Sequence, residues 1–283
     1  MNTPSASDAD ESPLQGPIWP QRLRQIASPV DRIRLPEANG EIAQDEEWCE
    51  VIVDGVSRRI RFHDYDEIYS IPGLYERLFY KQLKCCSPSR VASLLAEVLE
   101  ERGVDLGSLR VLDLGAGNGM VGDEMQRLGV REIVGIDIIQ EAKDAAFRDR
   151  PGVYDAYLVT DMTELREPAR TSLNHGRFNC LTCVAALGFE DIPPQAFVKA
   201  LDVIRTPGWI AFSIKEEFLR GGDDAFCELI DRLERDEVLR FEAYRRFRHR
   251  VSISGDGLYY VAVVARKLRE VPSHFHGLLE HAG

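Results

Sequence analysis

The chain has 283 residues, 44% of them hydrophobic and 29% charged, enough for one sizeable α/β core or a core with a small appendage. Its formal net charge of −12 argues against nucleic acid or an anionic membrane as the main partner, because long-range repulsion opposes the encounter. No apolar run approaches the roughly 20 residues that span a bilayer. The first residues lack the basic and apolar segments of a signal peptide, and the six cysteines have no secreted-framework spacing, so reduced thiols and a cytoplasmic location are expected.

Residues 1–44, rich in proline, serine and acids, are expected to be a disordered or loosely packed arm, with at most a short helix between Ile18 and Leu35. Residues 45–86 form a second region. Val51 and Val53 alternate with polar residues, Asp54-Gly55 supplies a hairpin turn, and Ile60 and Phe62 alternate again, which predicts a β-hairpin. The next stretch, DYDEIYSIPGLYERLFYKQL, is dense in tyrosine and broken at Pro72-Gly73. It reads as a helix packed by its aromatics or as a lid over a ligand. Tyr65, Tyr69 and Tyr80 in it are candidate substrate contacts.

Ser87-Pro88 has the form of a helix start, with serine as cap and proline at the first helical position. Val91, Leu94, Leu95, Val98 and Leu99 continue it as one apolar stripe, and Gly103 ends it. The chain then reaches its most informative stretch, Arg110 to Gly119, RVLDLGAGNG. A short apolar run ending at Asp113-Leu114 reads as a buried strand, and glycines follow at 115, 117 and 119. Glycine there lets the backbone turn tightly and lets a ligand lie on the main chain. Met120 to Leu128 reads as a helix ended by Gly129, and Arg131 to Asp137 as a second strand ending in an acid. Together these make a nucleoside-binding βαβ half.

Further strands are expected over Tyr154–Thr160, Phe178–Val184 and Trp209–Ile214, with helices over 140–150, 194–204 and 223–236 between and after them. Two longer strands within Val238–Lys267, joined at 254–257, close the sequence, followed by a tail over 271–283. Strands alternating with helices predict an α/β fold, a Rossmann-like doubly wound sheet, mostly parallel, with an antiparallel C-terminal hairpin. The nucleotide domain is expected over 87–270.

The glycine loop discriminates between ligands. A phosphate-cradling P-loop needs Gly-Lys-Ser/Thr, which does not follow Gly119. A dinucleotide fingerprint needs a third glycine five positions after the first, and Met120 stands there. The remaining pattern resembles the class I S-adenosylmethionine-dependent methyltransferases. VLDLGAGNG is similar to their first motif, GID at Asp137 to the second, and TDMTEL, with Asp161-Met162, to the third. ALDVIRTPGWIAFSI is similar to the segment leading into their fifth strand. IPGLYERLF, GAGNGMVG and CVAALGF also resemble the methyltransferase-like group related to the Williams–Beuren critical-region protein.

The resemblance implies the class I methyltransferase fold, S-adenosylmethionine as cofactor and S-adenosylhomocysteine as product. The cofactor site it implies comprises Asp113, Gly115, Ala116, Gly117, Asn118, Gly119, Asp137, Ile138, Asp161, Met162 and Val184. Asp137 would accept the ribose hydroxyls, Asp161 the adenine amino group, and Met162 would pack on the ring, while Asp113 would orient the loop or the cofactor's ammonium. Base-modifying members carry Asn/Asp-Pro-Pro-aromatic at the end of the fourth strand. This chain has Cys183-Val-Ala-Ala-Leu-Gly-Phe189, which argues against a nucleic-acid amino-methylase and for a small-molecule acceptor or an exposed protein side chain. Phe189 and Glu216 are further substrate-contact candidates, with His63, Glu190, Asp191 and Lys215 as possible polar contacts. No residue is singled out as the catalytic base, and oligomeric state is not read from the sequence. A non-catalytic cofactor-binding sensor and a nicotinamide oxidoreductase are the readings from other classes. Cys180 and Cys183 have metal-like spacing, but in a strand they point to opposite faces, so no metal site is expected. The basic run from Tyr244 to Arg250 reads as a solvated edge strand, with a pocket for an anionic acceptor as the alternative.

Overall fold

A computed structural model describes residues 17–37, 43–187, 191–216 and 225–275. Seven strands form the main sheet: β4 (Arg110–Leu114), β5 (Glu132–Asp137), β6 (Ala156–Val159), β7 (Cys180–Leu187), β8 (Gly208–Lys215), β9 (Leu239–Val251) and β10 (Gly257–Lys267). Their spatial order is β6-β5-β4-β7-β8-β10-β9. Pairs from β6 to β8 are parallel, and β10 runs antiparallel to both β8 and β9. The expected doubly wound sheet with a closing hairpin is the observed one.

Central strands of such a sheet are covered on both faces, so their apolar residues run almost without interruption. Alternate side chains enter different cores. Val111, Cys180 and Ala211 meet helices α3 (Ser87–Glu101), α4 (Met120–Arg127) and α5 (Gln140–Asp149), while Leu112, Leu181 and Ile210 meet, beyond the short α6 (Ala169–His175), α7 (Pro194–Asp202) and α8 (Ala225–Arg235). Cys180 and Cys183 fall on opposite sides of the sheet, and no group of metal-binding side chains occurs among the described residues. β4 has β5 on one side and β7 on the other, so the chain leaves it in opposite directions. That reversal opens a crevice beyond the carboxyl ends of these strands, where open α/β sheets bind ligands.

A second, three-stranded sheet stands beside the first, built from β1 (Val30–Arg34), β2 (Trp48–Val53) and β3 (Val56–Arg61). The hairpin matches the sequence reading. β1 departs from the expectation of a loose arm over 1–44, since residues 30–34 pair along β2, with a bulge after Val30. The charged face of β1 hid it, since only Val30 of its five residues is buried. A short helix, α1 (Trp19–Gln25), precedes it. Residues 1–16 and 276–283 lie outside the described part of the chain.

The tyrosine-rich segment joins the two sheets. It folds as α2 (Tyr65–Ser70), a break at Gly73 with φ of +71°, and a π-helix over Glu76–Gln82. The wide turn is visible in the bond from Leu83 N to Leu78 O, 3.0 Å, five residues back. Ile68, Leu74, Leu78 and Phe79 pack with Val51, Ile60 and Phe62 into a third core. The expected serine cap of α3 is not made. Ser87 is the first helical residue, and its hydroxyl lies 2.6 Å from His249 Nδ1 on β9, a long-range partner that outbids the local cap.

One buried charge cluster ties these pieces together. Arg150, with a side chain closed to solvent, lies 2.7 Å from Glu76 Oε1 on the π-helix and donates to Asn118 O at 3.1 Å. Its Nε is 3.5 Å from Asp123 of α4, which also pairs with Arg22 of α1 at 2.7 Å. Removing one partner of such a cluster leaves charges buried without compensation. Arg150→Met is therefore expected to lose about 3–5 kcal/mol of unfolding free energy in urea titration. A loss below about 1 kcal/mol, the scale of an exposed pair, contradicts this.

Candidate active site

The crevice beyond β4 holds a cavity of about 470 Å³. Its floor is the glycine loop, whose Gly115, Gly117 and Gly119 all have left-handed φ, +68°, +52° and +92°. At Gly117 a Cβ would stand 2.6 Å from the Tyr69 hydroxyl, and at Gly115 one would stand 2.8 Å from Ile192 Cδ1. The left-handed backbone favours glycine at both positions, and a Cβ would also press on these two side chains. The loop is held from beneath. Ala116 N donates to Ile136 O at 3.0 Å, and the Tyr157 hydroxyl donates to Gly117 O at 2.7 Å. Gly119 turns the chain into α4 and stays off the cavity wall.

Asp137, at the end of β5, fixes the loop from the side. Its Oδ2 accepts from Gly117 N at 2.9 Å and its Oδ1 from Ile139 N at 3.1 Å. Burial raises its pKa, and the backbone N–H groups of Gly117, Ile139 and Ile138 oppose that rise. Each carboxylate oxygen keeps a lone pair for a further donor. Beside it Ile138 is 65% exposed on the cavity rim, an apolar side chain that a planar ring would cover. Ala116, Asn118, Met162 and Val184 also line the wall.

Three sequence candidates have partners within the chain. Asp113 is fully buried away from the cavity, accepting from the Tyr154 and Thr182 hydroxyls at 2.7 Å each. Asp161 is on the wall, but its Oδ1 accepts from Thr163 N and Thr163 Oγ1, both at 2.7 Å, and caps the turn Met162–Glu164. Glu216 is off the wall, 2.9 Å from Arg246 on β9. Lys215 is also off the wall, and Phe189 and Glu190 lie outside the described residues.

Tyr65, Tyr69 and Tyr80 form the roof together with Tyr75, which the sequence reading left out. Tyr65 and Tyr69 are stacked at 5.8 Å, and Tyr69 and Tyr75 are 5.2 Å apart. The far wall is the end of β7, where pairing with β8 slips between Cys183 and Leu187. Ala185 there has φ of +55° and donates to Ser213 Oγ at 2.9 Å. A non-glycine residue in that region is strained, as chain at a ligand site often is. No signal in VAAL marks it. His63 and Asp191 face each other on the wall, Nδ1 to Oδ1, at 3.6 Å.

The sign of the charge around this cavity decides what it suits. Among the described residues its wall carries Asp137, Asp161 and Asp191 and no lysine or arginine. A phosphate or pyrophosphate would meet three acids there and no lysine or arginine to offset them, whereas a cationic, hydroxyl-bearing nucleoside would be matched. A family model described as "Methyltransferase domain" matches residues 81–259. The chain belongs to that family.

Comparison with curated proteins gave no match. Among solved structures, an S-adenosylmethionine-dependent methyltransferase from Clostridium acetobutylicum is 13% identical, with 69% of this chain and 97% of that one covered and a TM-score of 0.48. The magnesium protoporphyrin IX methyltransferase of Synechocystis with bound S-adenosylmethionine is 14% identical over 64% of this chain and 79% of that one, TM-score 0.45. A ribosomal protein L11 methylase from Lactobacillus delbrueckii is 17% identical over 64% and 79%, TM-score 0.43.

The cofactor of this methyltransferase is S-adenosylmethionine, and the residues present fit it: an acidic wall, a glycine floor that any Cβ would obstruct, and a carboxylate with spare lone pairs. When bound it supplies a methyl group on a sulfonium. The chain's own part is to hold, orient and shield. Asp137 would hold the ribose, Ile138 and Met162 the adenine, and the glycine loop the amino-acid end, while the tyrosine roof keeps water out.

Asp113 gives a pH test of the floor. Burial pushes its carboxyl from 3.8 up to about 6, so the folded chain keeps a proton that the unfolded chain releases. Stability from this group is therefore full below about pH 4 and is lost as pH rises through about 6, by about 2–3 kcal/mol. Denaturant unfolding of Asp113→Asn should show a smaller fall between pH 4.5 and 7.5 than the parent. Equal falls would contradict the assignment.

Proposed function

We propose that this methyltransferase transfers the methyl group of S-adenosylmethionine to a small-molecule acceptor. The observation that carries the reading is the roof. Tyr65, Tyr69, Tyr75 and Tyr80 cover the cavity from the segment that joins the two sheets, with Tyr69 and Tyr80 themselves buried. A cavity roofed by aromatic side chains suits a small molecule that enters whole rather than a nucleotide or side chain presented by a large partner.

Charge supports the same reading. The net charge is −12, and three of the four arginines in the basic run from Tyr244 to Arg250 are matched by acids: Arg245 by Glu97 at 2.7 Å, Arg246 by Glu216, and Arg250 by Glu47. A strand neutralised in this way offers little to a phosphate backbone. The finer likeness to the Williams–Beuren group, a cytoplasmic location and a cofactor-binding domain over 87–270 belong to this reading too. No described helix is long and apolar enough to cross a membrane.

Displacement at a methyl carbon needs the acceptor held close and in line. An acceptor that starts as a hydroxyl or amine must also lose a proton. His63, with Asp191 beside its Nδ1, is the imidazole on the wall that can take it.

Methyl-labelled S-adenosylmethionine incubated with a cell extract and the protein tests the proposal. Protein-dependent label is expected in the small-molecule fraction. Label confined to protein or RNA would overturn it.

A further inference from the structure

The cofactor cavity adjoins a second, smaller chamber of about 40 Å³, and His63, Tyr65, Tyr75, Ala185 and Asp191 are walls of both. The inner walls include Gln44, Phe62, Phe79, His249, Arg250 and Tyr260. The volume is that of one small polar group or one water.

The polar groups inside are specific in what they lack. Gln44 is hydrogen-bonded to the Tyr260 hydroxyl, yet its Oε1 is buried with no hydrogen-bond partner. Arg250, 3% exposed, donates from Nη1 to Val251 O at 3.0 Å and from Nη2 to Glu47, whose Oε1 accepts from Ile253 N at 2.7 Å. A guanidinium has further N–H donors. Its charge is already balanced by Glu47, and Asp191 stands at the neck, so an anionic guest would be unpaired there. His249 adds no charge, because burial pushes its pKa down to about 3; its ring stacks on Tyr260 at 4.2 Å.

A neutral hydroxyl meets these requirements. It donates to the orphaned Gln44 Oε1 and accepts from Arg250, and leaving a buried acceptor unmatched is costly. Phe62, Tyr65, Tyr75, Phe79 and Tyr260 make the surrounding walls aromatic, which favours an aromatic carrier for that hydroxyl.

We infer that the methyl acceptor is a hydroxylated aromatic whose hydroxyl seats in this chamber against Gln44 and Arg250, with its ring against Tyr65 and Tyr75. This rests on the small-molecule reading and specifies its substrate class.

Phenol and toluene, titrated calorimetrically into the protein saturated with S-adenosylhomocysteine, test it. Phenol is expected to bind about tenfold more tightly than toluene, the scale of one matched buried hydrogen bond. In Gln44→Leu the ratio should fall toward one while S-adenosylhomocysteine affinity is kept. Should that variant misfold, the wild-type ratio alone decides. Equal binding of the two probes, no phenol binding, or a ratio unchanged in folded Gln44→Leu would overturn the inference and leave the chamber to an ordered water. Failure of S-adenosylhomocysteine to bind would overturn the cofactor assignment beneath it as well.

Discussion

A guanidinium sealed from water is the constraint on which the site depends. Arg150 reaches Glu76 in the roof, Asn118 in the floor and Asp123 in the helix that the floor leads into. Asn118 closes the circuit by donating to Glu76 at 2.8 Å. Desolvating charges is costly and the partners are few, so the geometry is narrow. Roof and floor are thereby locked in register, and Met120, at the start of the helix that the floor leads into, joins the third core with Leu78 and Phe79. The methyltransferase domain matched by the family model begins at residue 81, so the π-helix carrying Glu76 is mostly an addition from outside it.

The same enclosure explains the chemistry available. Burial raises the pKa of Asp137 and of Asp113, and it pushes the tyrosine hydroxyls of the roof above their ordinary range, so the roof stays neutral. What charge remains on the wall is carboxylate. A cationic sulfonium is matched by such a site and an anion is not, which sets aside the oxidoreductase reading with its pyrophosphate cofactor. Electrostatics of this kind act more strongly on buried groups than in bulk water.

The parts of the fold carried by local pattern were legible in the sequence. Continuous apolar runs marked β4, β7 and β8, Asp54-Gly55 marked the hairpin, and the alternate glycines marked the floor. Parts that depend on distant partners were not. Ser87 and Pro88 have every local sign of a capped helix start, but the hydroxyl is claimed by His249, 162 residues away. Asp113 reads from its place near the end of a strand as orienting the loop or the cofactor's ammonium, but only the fold shows that Tyr154 and Thr182 hold it as a buried strut off the cavity wall. Glu216 was drawn off by Arg246, and β1 was hidden by its own charges. Ala185 has no compositional sign at all, because its strain comes from the slipped pairing of β7 with β8.

The central claim is that the glycine loop and Asp137 together hold S-adenosylmethionine. Isothermal calorimetry of the intact protein and Asp137→Ala with S-adenosylhomocysteine tests it most directly. The parent is expected to bind, and the variant to bind more weakly by about 1–3 kcal/mol, the scale of hydrogen bonds to a charged group. No binding by the parent, or equal affinity in the two proteins, would contradict the account.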